Sequence, residues 1–412
     1  MFLRLISLLL WKRNRMPVYL IHSVTERCNA RCTHCFVDKD GGKRELTLEE
    51  IAGVCERMGK DLFHVCLSGG EPFLRADLPE IARTYFEKTP AQVIRISTNG
   101  YLTDRIVAGT RRLLEHASCR NVVVEISLDD IGARHDRIRL LERSFDRAIQ
   151  TYKALEALQE EFDNFFVNVN VTVCKSNQER LLELYAYLKN QLGIRNISMT
   201  LTRGTPDDPI EKHVDMYNYR AFAETVEKDL MQQDVPGYSG LLHGHLVNAQ
   251  NVLARQRIIE TVLSNKFISR CYAGNLAGVL ESDGRLRPCE LRPEVFGNVR
   301  EQKFDELWRS EQAQQFKKDC ASCYCTHECF VAPNIVFNPR YAPRMLQLAG
   351  AMMLRHYKRK VTRSLRGAGR GLTVRGRTPR EEPSHVTQPE IEPRPKPKRA
   401  LPIVHDAHVE EL

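Results

Sequence analysis

Three cysteines stand close together in the stretch CNARCTHC, at positions 28, 32 and 35. Thiolates at such short spacings are ligands of zinc ions and of iron-sulfur clusters. A closed structural site needs four ligands, so these cysteines either take a fourth ligand from elsewhere or leave one coordination position open. His34 or a distant residue could complete a zinc site, whereas an open position predicts that the metal centre binds a further molecule.

A second group of cysteines lies in the C-terminal half. CYAGNLAGVLESDGRLRPC carries Cys271 and Cys289 across a hairpin that is predicted to turn at SDGR, and CASCYCTHEC supplies Cys320, Cys323, Cys325 and Cys329. Six thiols in two blocks exceed what one structural zinc ion can use. The thirteen cysteines are an odd number and no cleavable signal precedes the first strand, so we interpret them as thiolates in a reducing cytoplasm.

The elements that must position these cysteines alternate regularly. Each of six apolar, β-branched runs is followed by a helical pattern; the runs are VYLIHSV, HVCLS, QVIRIST, NVVVEISL, FFVNVNVTV and IRNISMTL. Units of this kind predict an α/β fold with a parallel sheet, and continuous apolar strands favour a partial (βα)6 TIM-like barrel with helices on one face. A smaller C-terminal domain, which carries the second group of cysteines, follows. The chemistry of such barrels lies at the carboxyl ends of the strands.

Four polar or glycine-rich motifs fall at that rim. CNARCTHC follows the first strand, LSGGEP the second, STNG the third and SLDD the fourth. In this order the motifs resemble those of the radical S-adenosylmethionine (SAM) enzymes over roughly residues 17–215. The resemblance implies that Cys28, Cys32 and Cys35 each bind one iron of a [4Fe-4S] cluster, and that the fourth iron is left for SAM.

The resemblance also assigns SAM contacts, each with a structural alternative. Gly69 and Gly70 would let the backbone approach the methionine part of SAM and Glu71 would accept from its ammonium group, although an ordinary β-to-α turn explains the same residues. Ser97 and Asn99 fall at the ribose contact, with helix capping or turn formation as the alternative. The remaining two assigned contacts are Ser127 and Arg139, the latter gripping the carboxylate of SAM.

The C-terminal cysteines resemble the auxiliary-cluster extension called SPASM or its shorter Twitch form. Only Tyr324 separates Cys323 from Cys325, and no cysteine follows Cys329, so the full seven-cysteine pattern is absent and at least one auxiliary cluster is expected, of the [4Fe-4S] type. Glu290 directly follows Cys289, where the sulfatase-maturing branch has a proton-accepting carboxylate. A solvated residue at a strand end is the alternative for Glu290.

Charge and the two chain ends predict where the protein acts. Residues 341–380 carry eleven Lys or Arg and no Asp or Glu, so that residues 1–340 are nearly neutral although the whole chain has a formal charge of +9. This distribution does not favour nucleic acid as a partner. We expect an amphipathic segment at 1–16, a barrel core at 17–215, linker helices and the auxiliary domain at 216–340, a basic amphipathic helix at 341–366 and a disordered tail at 367–412.

These features predict a radical SAM oxidoreductase that cleaves SAM to a 5′-deoxyadenosyl radical and abstracts a hydrogen atom. Oxidative modification of a peptide or protein is the first hypothesis for its reaction. A dehydrogenase or carbon-skeleton enzyme acting on a small or lipid-linked molecule is the alternative, and a non-catalytic iron-sulfur or zinc-binding interaction protein is the alternative outside enzymes. An electron donor such as flavodoxin or ferredoxin is an expected partner. The expected location is the cytoplasm, with peripheral contact to the inner face of the membrane.

Overall fold

The computed structural model describes residues 16–37, 42–117, 120–194, 196–232, 242–266, 268–320 and 323–369. The predicted amphipathic segment at 1–16 and tail at 367–412 lie outside the described residues, except for residue 16 and residues 367–369.

One nine-stranded sheet organises the described chain, with the strand order β6-β5-β4-β3-β2-β1-β7-β8-β9. Strands β1 to β6 pair in parallel and in sequence order, and β6 forms the edge. The expected α/β fold with a partial parallel barrel is therefore confirmed. The strands are β1 (Tyr19–Thr25), β2 (His64–Gly69), β3 (Val93–Thr98), β4 (Asn121–Ser127), β5 (Phe165–Val173), β6 (Ile197–Leu201), β7 (Ala277–Leu280), β8 (Arg285–Arg287) and β9 (Gly297–Asn298).

Helices follow each barrel strand and then build the C-terminal part. Their ends carry expected signals: Thr47 and Glu50 form a capping box at the first helix. The helices are α1 (Leu48–Arg57), α2 (Leu78–Lys88), α3 (Thr103–Ala117), α4 (Ala133–Arg139), α5 (Ser144–Glu161), α6 (Leu181–Ala186), α7 (Met216–Gln232), α8 (Leu242–Ser264), α9 (Phe304–Arg309), α10 (Glu311–Asp319), α11 (Glu328–Val336) and α12 (Ala342–Gly369).

The barrel strands have two chemically different faces. Side chains on one face, such as Leu20, Val65, Ile94, Val124 and Val169, are fully buried in the main core. Alternate side chains line an internal cavity and are largely polar from β3 onward: Arg95, Ser97, Glu125, Ser127, Asn168, Asn170, Ser198 and Thr200. The expectation of continuously apolar strands is therefore wrong, because only the helix-covered face has to exclude water.

The C-terminal part continues the sheet of the barrel. Strand β7 pairs in parallel with β1, and β7 and β8 form an antiparallel hairpin, as predicted around SDGR. Arg300 strengthens the junction by donating to Glu50 and to the carbonyls of Arg44 and Glu45. The predicted boundary near residue 215 thus separates the barrel elements from the C-terminal elements along the chain, but one sheet contains strands from both sides of it.

Two long C-terminal helices pack beside the barrel. α12 packs on α8 and α7, and Arg355 donates to the carbonyl of Met231 at 2.7 Å. Among the described residues, no helix has the length and apolar character needed to cross a bilayer.

Candidate functional site

The cysteine loop after β1 is fixed by backbone hydrogen bonds on two sides. The amides of Arg31 and Thr33 donate to the carbonyls of Arg139 and Ile138 at 3.2 and 3.0 Å. From the other side, the amide of Asp207 donates to the carbonyl of Cys35 at 2.8 Å. Segments more than 100 residues away along the chain therefore fix the backbone of this loop.

The three thiols of this loop line one cavity of about 550 Å³. Burial raises the pKa of Cys28 and raises the pKa of Cys32 to about 11. Among the described residues, no three His, Cys, Asp or Glu side chains lie close enough to share a single metal ion. A [4Fe-4S] cluster does not require that closeness, since each cysteine binds a different iron. Three convergent thiols facing a cavity fit a cluster with one open iron.

The glycines of LSGGEP let two backbone segments touch. A Cβ atom on Gly69 would lie 2.1 Å from the carbonyl oxygen of Thr25, and one on Gly70 would lie 2.2 Å from that of Arg27. The amide of Gly70 donates to Thr25, at the start of the cysteine loop. In this structure the two glycines thus seat the cysteine loop, and both also line the cavity, where the predicted contact with SAM would be made.

Glu71 organises the neighbouring turn. Its Oε1 accepts from the amide of Phe73 and the hydroxyl of Thr98, and its Oε2 accepts from the amide of Asn99. Burial raises the pKa of Glu71 to about 7. The predicted SAM contact at Glu71 would have to share a carboxylate that already holds three protein donors.

The remaining rim residues all line the same cavity. Ser97 is the last residue but one of β3 and Ser127 ends β4. Asn99 donates from Nδ2 to the side chain of Asn29 at 2.7 Å. Asn99 also accepts from the amide of Tyr101, which is the turn-forming contact of the structural alternative. The structure therefore brings the predicted SAM-binding residues of β2, β3 and β4 to the same edge as the cysteine loop after β1.

Arg139 is held where it can meet an anion. Its Nε lies 2.7 Å from Oδ2 of Asp129, and its Nη1 donates to the sulfur of Cys32 at 3.7 Å. Asp129 is itself fixed by the amide of Thr172. Nη2 of Arg139 is buried without a hydrogen-bond partner among the described atoms. An unsatisfied guanidinium N–H beside the cysteine loop fits the predicted carboxylate contact of SAM.

Five of the six C-terminal cysteines form one group. Cys320, at the end of α10, lies within hydrogen-bonding reach of Cys271 and Cys323, and this contact lowers the pKa of Cys271 to about 7. Cys289 and Cys325 belong to the same group, because each lies close enough to Cys271 and Cys323 to interact with them electrostatically. Convergent thiols from the hairpin and from the loop before α11 fit an auxiliary cluster.

Cys329 faces elsewhere. It lies in the first turn of α11 and lines the barrel cavity, where Nη2 of Arg95 donates to its sulfur at 3.4 Å. Although burial raises the pKa of Cys329, Arg95 and His327 lower it to about 6. The structure thus brings Cys329 to the barrel cavity, apart from the group formed by the other five thiols.

Glu290 also reaches the cavity from the C-terminal part. Its Oε2 lies 2.6 Å from Nε2 of His327 and 3.5 Å from Nη2 of Arg203. Although burial raises the pKa of Glu290, the contacts with His327 and Arg203 lower it to about 2. Arg203 also lies 3.7 Å from Glu328, whose pKa burial raises to about 7. Glu290 is therefore a largely buried carboxylate in a charged network, not a solvated strand end.

Sequence reasoning missed the charged residues of the cavity wall. Arg95 and Glu125 lie 3.7 Å apart on neighbouring strands, and both interrupt runs of β-branched residues. A charge at alternate positions of a buried strand is the signal that could have identified them, because only a polar interior accommodates it. His327, Arg203 and Arg255 carry no comparable sequence signal.

Comparison with known families agrees with this geometry. Residues 22–188 match the Radical SAM superfamily, and residues 271–330 match the iron-sulfur cluster-binding domain SPASM. The first match implies a [4Fe-4S] cluster and SAM, and the second implies auxiliary iron-sulfur clusters.

Individual relatives have different activities. The chain is 29% identical to Fe-coproporphyrin III synthase of Methanosarcina barkeri over 73% of this chain and 75% of that protein. It is 25% identical to the cysteine-type anaerobic sulfatase-maturating enzyme of Clostridium novyi over 72% of this chain and 80% of that protein. Streptococcus suis SuiB bound to its precursor peptide SuiA shares the fold, with a TM-score of 0.55 and 16% identity over 82% of this chain and 77% of SuiB.

Proposed function

We propose that this chain, which is a radical SAM enzyme with a C-terminal SPASM domain, oxidises a peptide or protein substrate by hydrogen-atom abstraction. One observation carries the proposal: the three cysteines of the N-terminal loop and Glu290 of the C-terminal part line the same cavity. A substrate in that cavity contacts both the radical-forming and the proton-accepting groups. When bound, the reduced cluster and SAM supply a 5′-deoxyadenosyl radical, which takes the hydrogen atom.

The protein's own residues orient the reactants and exclude water. Arg139, braced by Asp129, holds the carboxylate of SAM, and Ser97, Asn99 and Ser127 line its binding edge. Oxidation of a carbon-centred radical requires loss of a proton and an electron, and the carboxylate of Glu290, which His327 and Arg203 keep ionised, would accept the proton. Cys271, Cys289 and two further cysteines of the C-terminal group would hold the auxiliary cluster, which would accept the electron or pass it on.

Two similar proteins support the peptide substrate, namely the sulfatase-maturating enzyme and SuiB, which binds its precursor peptide SuiA. A small-molecule substrate is the second candidate. It is favoured by the similarity to Fe-coproporphyrin III synthase and by the presence of a cavity of about 550 Å³ between the strands and α8.

Two measurements test these proposals. The anaerobically reconstituted protein, incubated with SAM and dithionite, is expected to release 5′-deoxyadenosine, and its absence would remove the catalytic assignment. For the substrate, extracts of the source organism grown in deuterated medium are divided into macromolecular and small-molecule fractions. Deuterium in 5′-deoxyadenosine from the macromolecular fraction supports the peptide, and deuterium only from the other fraction rejects it.

We also propose peripheral contact with anionic lipid through α12. Leu346, Met353, Leu354 and Tyr357 are exposed on this helix, at 52%, 42%, 56% and 66% of their surface, beside the exposed Arg355. An apolar stripe next to basic residues fits a negatively charged membrane surface.

Sedimentation with liposomes tests this contact. The protein is expected to pellet with anionic vesicles and to be released by salt, which screens charges over about 10 Å at 0.1 M. Replacing Leu354 and Tyr357 by Ser should weaken binding, whereas replacing the exposed Leu182, on α6 in the barrel region, should not. Equal binding to neutral and anionic vesicles would reject the electrostatic contribution.

A further inference from the structure

One wall of the cavity is formed by α8, outside the barrel strands. Gly244, Asn248, Asn251 and Arg255 all line the cavity, and their spacing of four, three and four residues places them on one face of the helix. Three polar side chains of this helix, those of Asn248, Asn251 and Arg255, therefore face the interior of the protein, beside apolar residues such as Val247 and Ala254. Burying a charge such as that of Arg255 is unfavourable unless it has a partner.

Arg255 is the least satisfied charge of this face. Its side chain is 5% exposed, and its Nε and Nη2 atoms are buried without a hydrogen-bond partner. Within the described part of the chain, no carboxylate lies within ion-pair distance of it. Buried polar groups in native proteins are almost always hydrogen-bonded, so two unsatisfied N–H groups on one guanidinium indicate a missing acceptor.

The other cavity arginines also have unsatisfied N–H groups, but each of them has a close partner. Arg139 lies 2.7 Å from Asp129, Arg203 lies 3.5 Å from Glu290, and Arg95 donates to the hydroxyl of Tyr19 at 3.1 Å. Each of these cations therefore has an acidic or hydrogen-bonding neighbour provided by the fold. Arg255 has no carboxylate at such a distance among the described residues.

Nearby groups compensate Arg255 only at a distance. Glu227 attracts it electrostatically, yet the carboxylate of Glu227 accepts from Gln256 at 3.1 Å, and burial raises its pKa. Burial in turn lowers the pKa of Arg255. A guanidinium that served only to stabilise the fold would be expected to form a close pair, because burying an unpaired charge is unfavourable.

We propose that Arg255 binds a carboxylate group of the substrate. The planar guanidinium matches a carboxylate with two parallel hydrogen bonds, and a buried site strengthens them. Asn248 and Asn251 extend the polar face along the helix. The substrate class is thus an acid with an apolar body, because Phe166, Phe337 and Met345 line the same cavity. This inference rests on the proposed function, since the three cysteines of the N-terminal loop share that cavity.

Binding of a defined acid to the reconstituted full chain tests the proposal. The probes are 2-naphthoate and 2-naphthamide, which have the same rings and differ in charge, and the measurements are the thermal midpoint and calorimetric affinity. Naphthoate is expected to raise the wild-type midpoint, because a ligand of the folded state stabilises it, and naphthamide is not. Arg255→Met should weaken naphthoate about 10-fold or more, since a charge-assisted hydrogen bond is lost.

Two further variants separate recognition from folding. Arg255→Lys keeps the positive charge but lacks the planar guanidinium that makes two parallel hydrogen bonds, so it should bind naphthoate more weakly than wild type. Arg220→Met, an exposed arginine on α7 that pairs with Glu224 at 2.7 Å, should leave the affinity unchanged. A merely structural Arg255 would instead lower the midpoint of Arg255→Met without probe and leave naphthoate affinity intact in Arg255→Lys.

A second probe pair distinguishes the source of the carboxylate. Acetyl-Phe-Glu-Phe-amide and its glutamine counterpart present the same chemistry on a peptide. Arg255-dependent preference for the charged peptide alone assigns a peptide side chain, and preference for naphthoate alone assigns a small acid; either result supports Arg255. No preference in both pairs, or equal preference in Arg255→Met, overturns the proposal. Probe binding does not depend on SAM cleavage, so wild-type 5′-deoxyadenosine formation tests the proposed function separately.

Discussion

The barrel and the C-terminal cysteine region build their metal sites in opposite ways. In the barrel, three cysteines lie within eight residues, and distant backbone segments clamp that short loop. In the C-terminal region, the cysteines are spread from residue 271 to residue 329, and a hairpin and two helices bring five of them together. The first design fixes a local motif from outside, whereas the second assembles a site from scattered positions.

Burial opposes ionisation of thiols in both regions. It raises the pKa of Cys28, raises that of Cys32 to about 11 and raises that of Cys289 to about 12, whereas contact with Cys320 lowers the pKa of Cys271 to about 7. Metal binding requires the thiolate, so loading either site has to release protons. The two sites are built from different segments of the chain, so we expect them to respond separately to damage, and the following variants are chosen to test that independence.

The largest effect is expected from removing the barrel thiols. Replacing Cys28, Cys32 and Cys35 together by Ala should abolish 5′-deoxyadenosine formation, because the cluster that binds SAM has no ligands left. Iron bound by the C-terminal cysteines should remain and be measurable by colorimetric assay. The control is Cys55→Ala, which removes a buried thiol of α1. Cleavage of SAM by the triple variant would contradict the assignment of the SAM-binding cluster to these cysteines, and loss of all iron would contradict the independence of the two sites.

The next effect concerns the C-terminal contribution to the cavity. Glu290→Gln should retain 5′-deoxyadenosine formation and suppress product by about 100-fold or more, the usual range for loss of a general base. Cys271→Ala should in addition lower iron content. 5′-Deoxyadenosine and product are measured by chromatography with the identified substrate, and iron is measured by colorimetric assay. An unchanged product rate in Glu290→Gln would end the proton-acceptor assignment.

A smaller effect is expected when the clamp of the barrel loop is loosened. Gly70→Ala places a methyl group 2.2 Å from the carbonyl oxygen of Arg27, so the cysteine loop must shift. We expect SAM cleavage to fall about 10-fold, in line with the cost of overpacking a tight site, while C-terminal iron is kept. Gly53→Ala is the matched control, since nothing lies within 4 Å of its added methyl group. Equal activity of the two variants would show that the close approach is unimportant.

The smallest effect is on acid stability, and it should begin in the barrel. Burial lowers the pKa of His22 on β1 to about 3, and Nδ1 of His22 lies 2.9 Å from the hydroxyl of Tyr85. The unfolded chain, with a pKa near 6.5, binds the proton first, so stability is complete above that pH and is lost as the pH falls toward 3. In the C-terminal region, contacts with Cys329 and Glu290 outweigh burial and raise the pKa of His327.

His22→Gln should therefore flatten the pH dependence of the urea midpoint. Between pH 6.5 and 5 the wild-type protein should lose about 2 kcal/mol of unfolding free energy through His22, since one pKa unit corresponds to about 1.4 kcal/mol. The variant should not show this loss. His116→Gln, at an exposed histidine of α3, provides the comparison. The interpretation fails if both variants keep the wild-type slope.

The barrel was largely predictable because its information is local. Each strand is followed by its own helix and each motif stands at a strand end, so the order of units predicts that Gly69, Ser97 and Ser127 meet at one edge. The alternating polar face was missed at Arg95 and Asn168, although the signal was present. Side chains alternate between the two faces of a strand. When one face consists of β-branched residues, the strand is apolar on average, and this average hides the polar residues at alternate positions.

The C-terminal region was less predictable because its contacts are long-range. The hairpin at Asp283 and Gly284 follows from turn chemistry, but nothing in the sequence of β7 states that it pairs with β1. The orientation of Cys329 away from the other cysteines depends on how α11 packs. Arg255 lies on a helix whose polar and apolar residues show little periodicity, because α8 is contacted by protein on several sides.

The pairing of β1 with β7 has a consequence for synthesis of the chain. β1 is the first barrel strand to leave the ribosome, and its partner on one side begins at residue 277, about 250 residues later. At typical elongation rates this interval lasts on the order of 10–50 s. During that time β1 presents an open edge of unpaired amides and carbonyls, the kind of surface that pairs with other chains. The last third of the polypeptide thus supplies the strand that covers the exposed edge of β1.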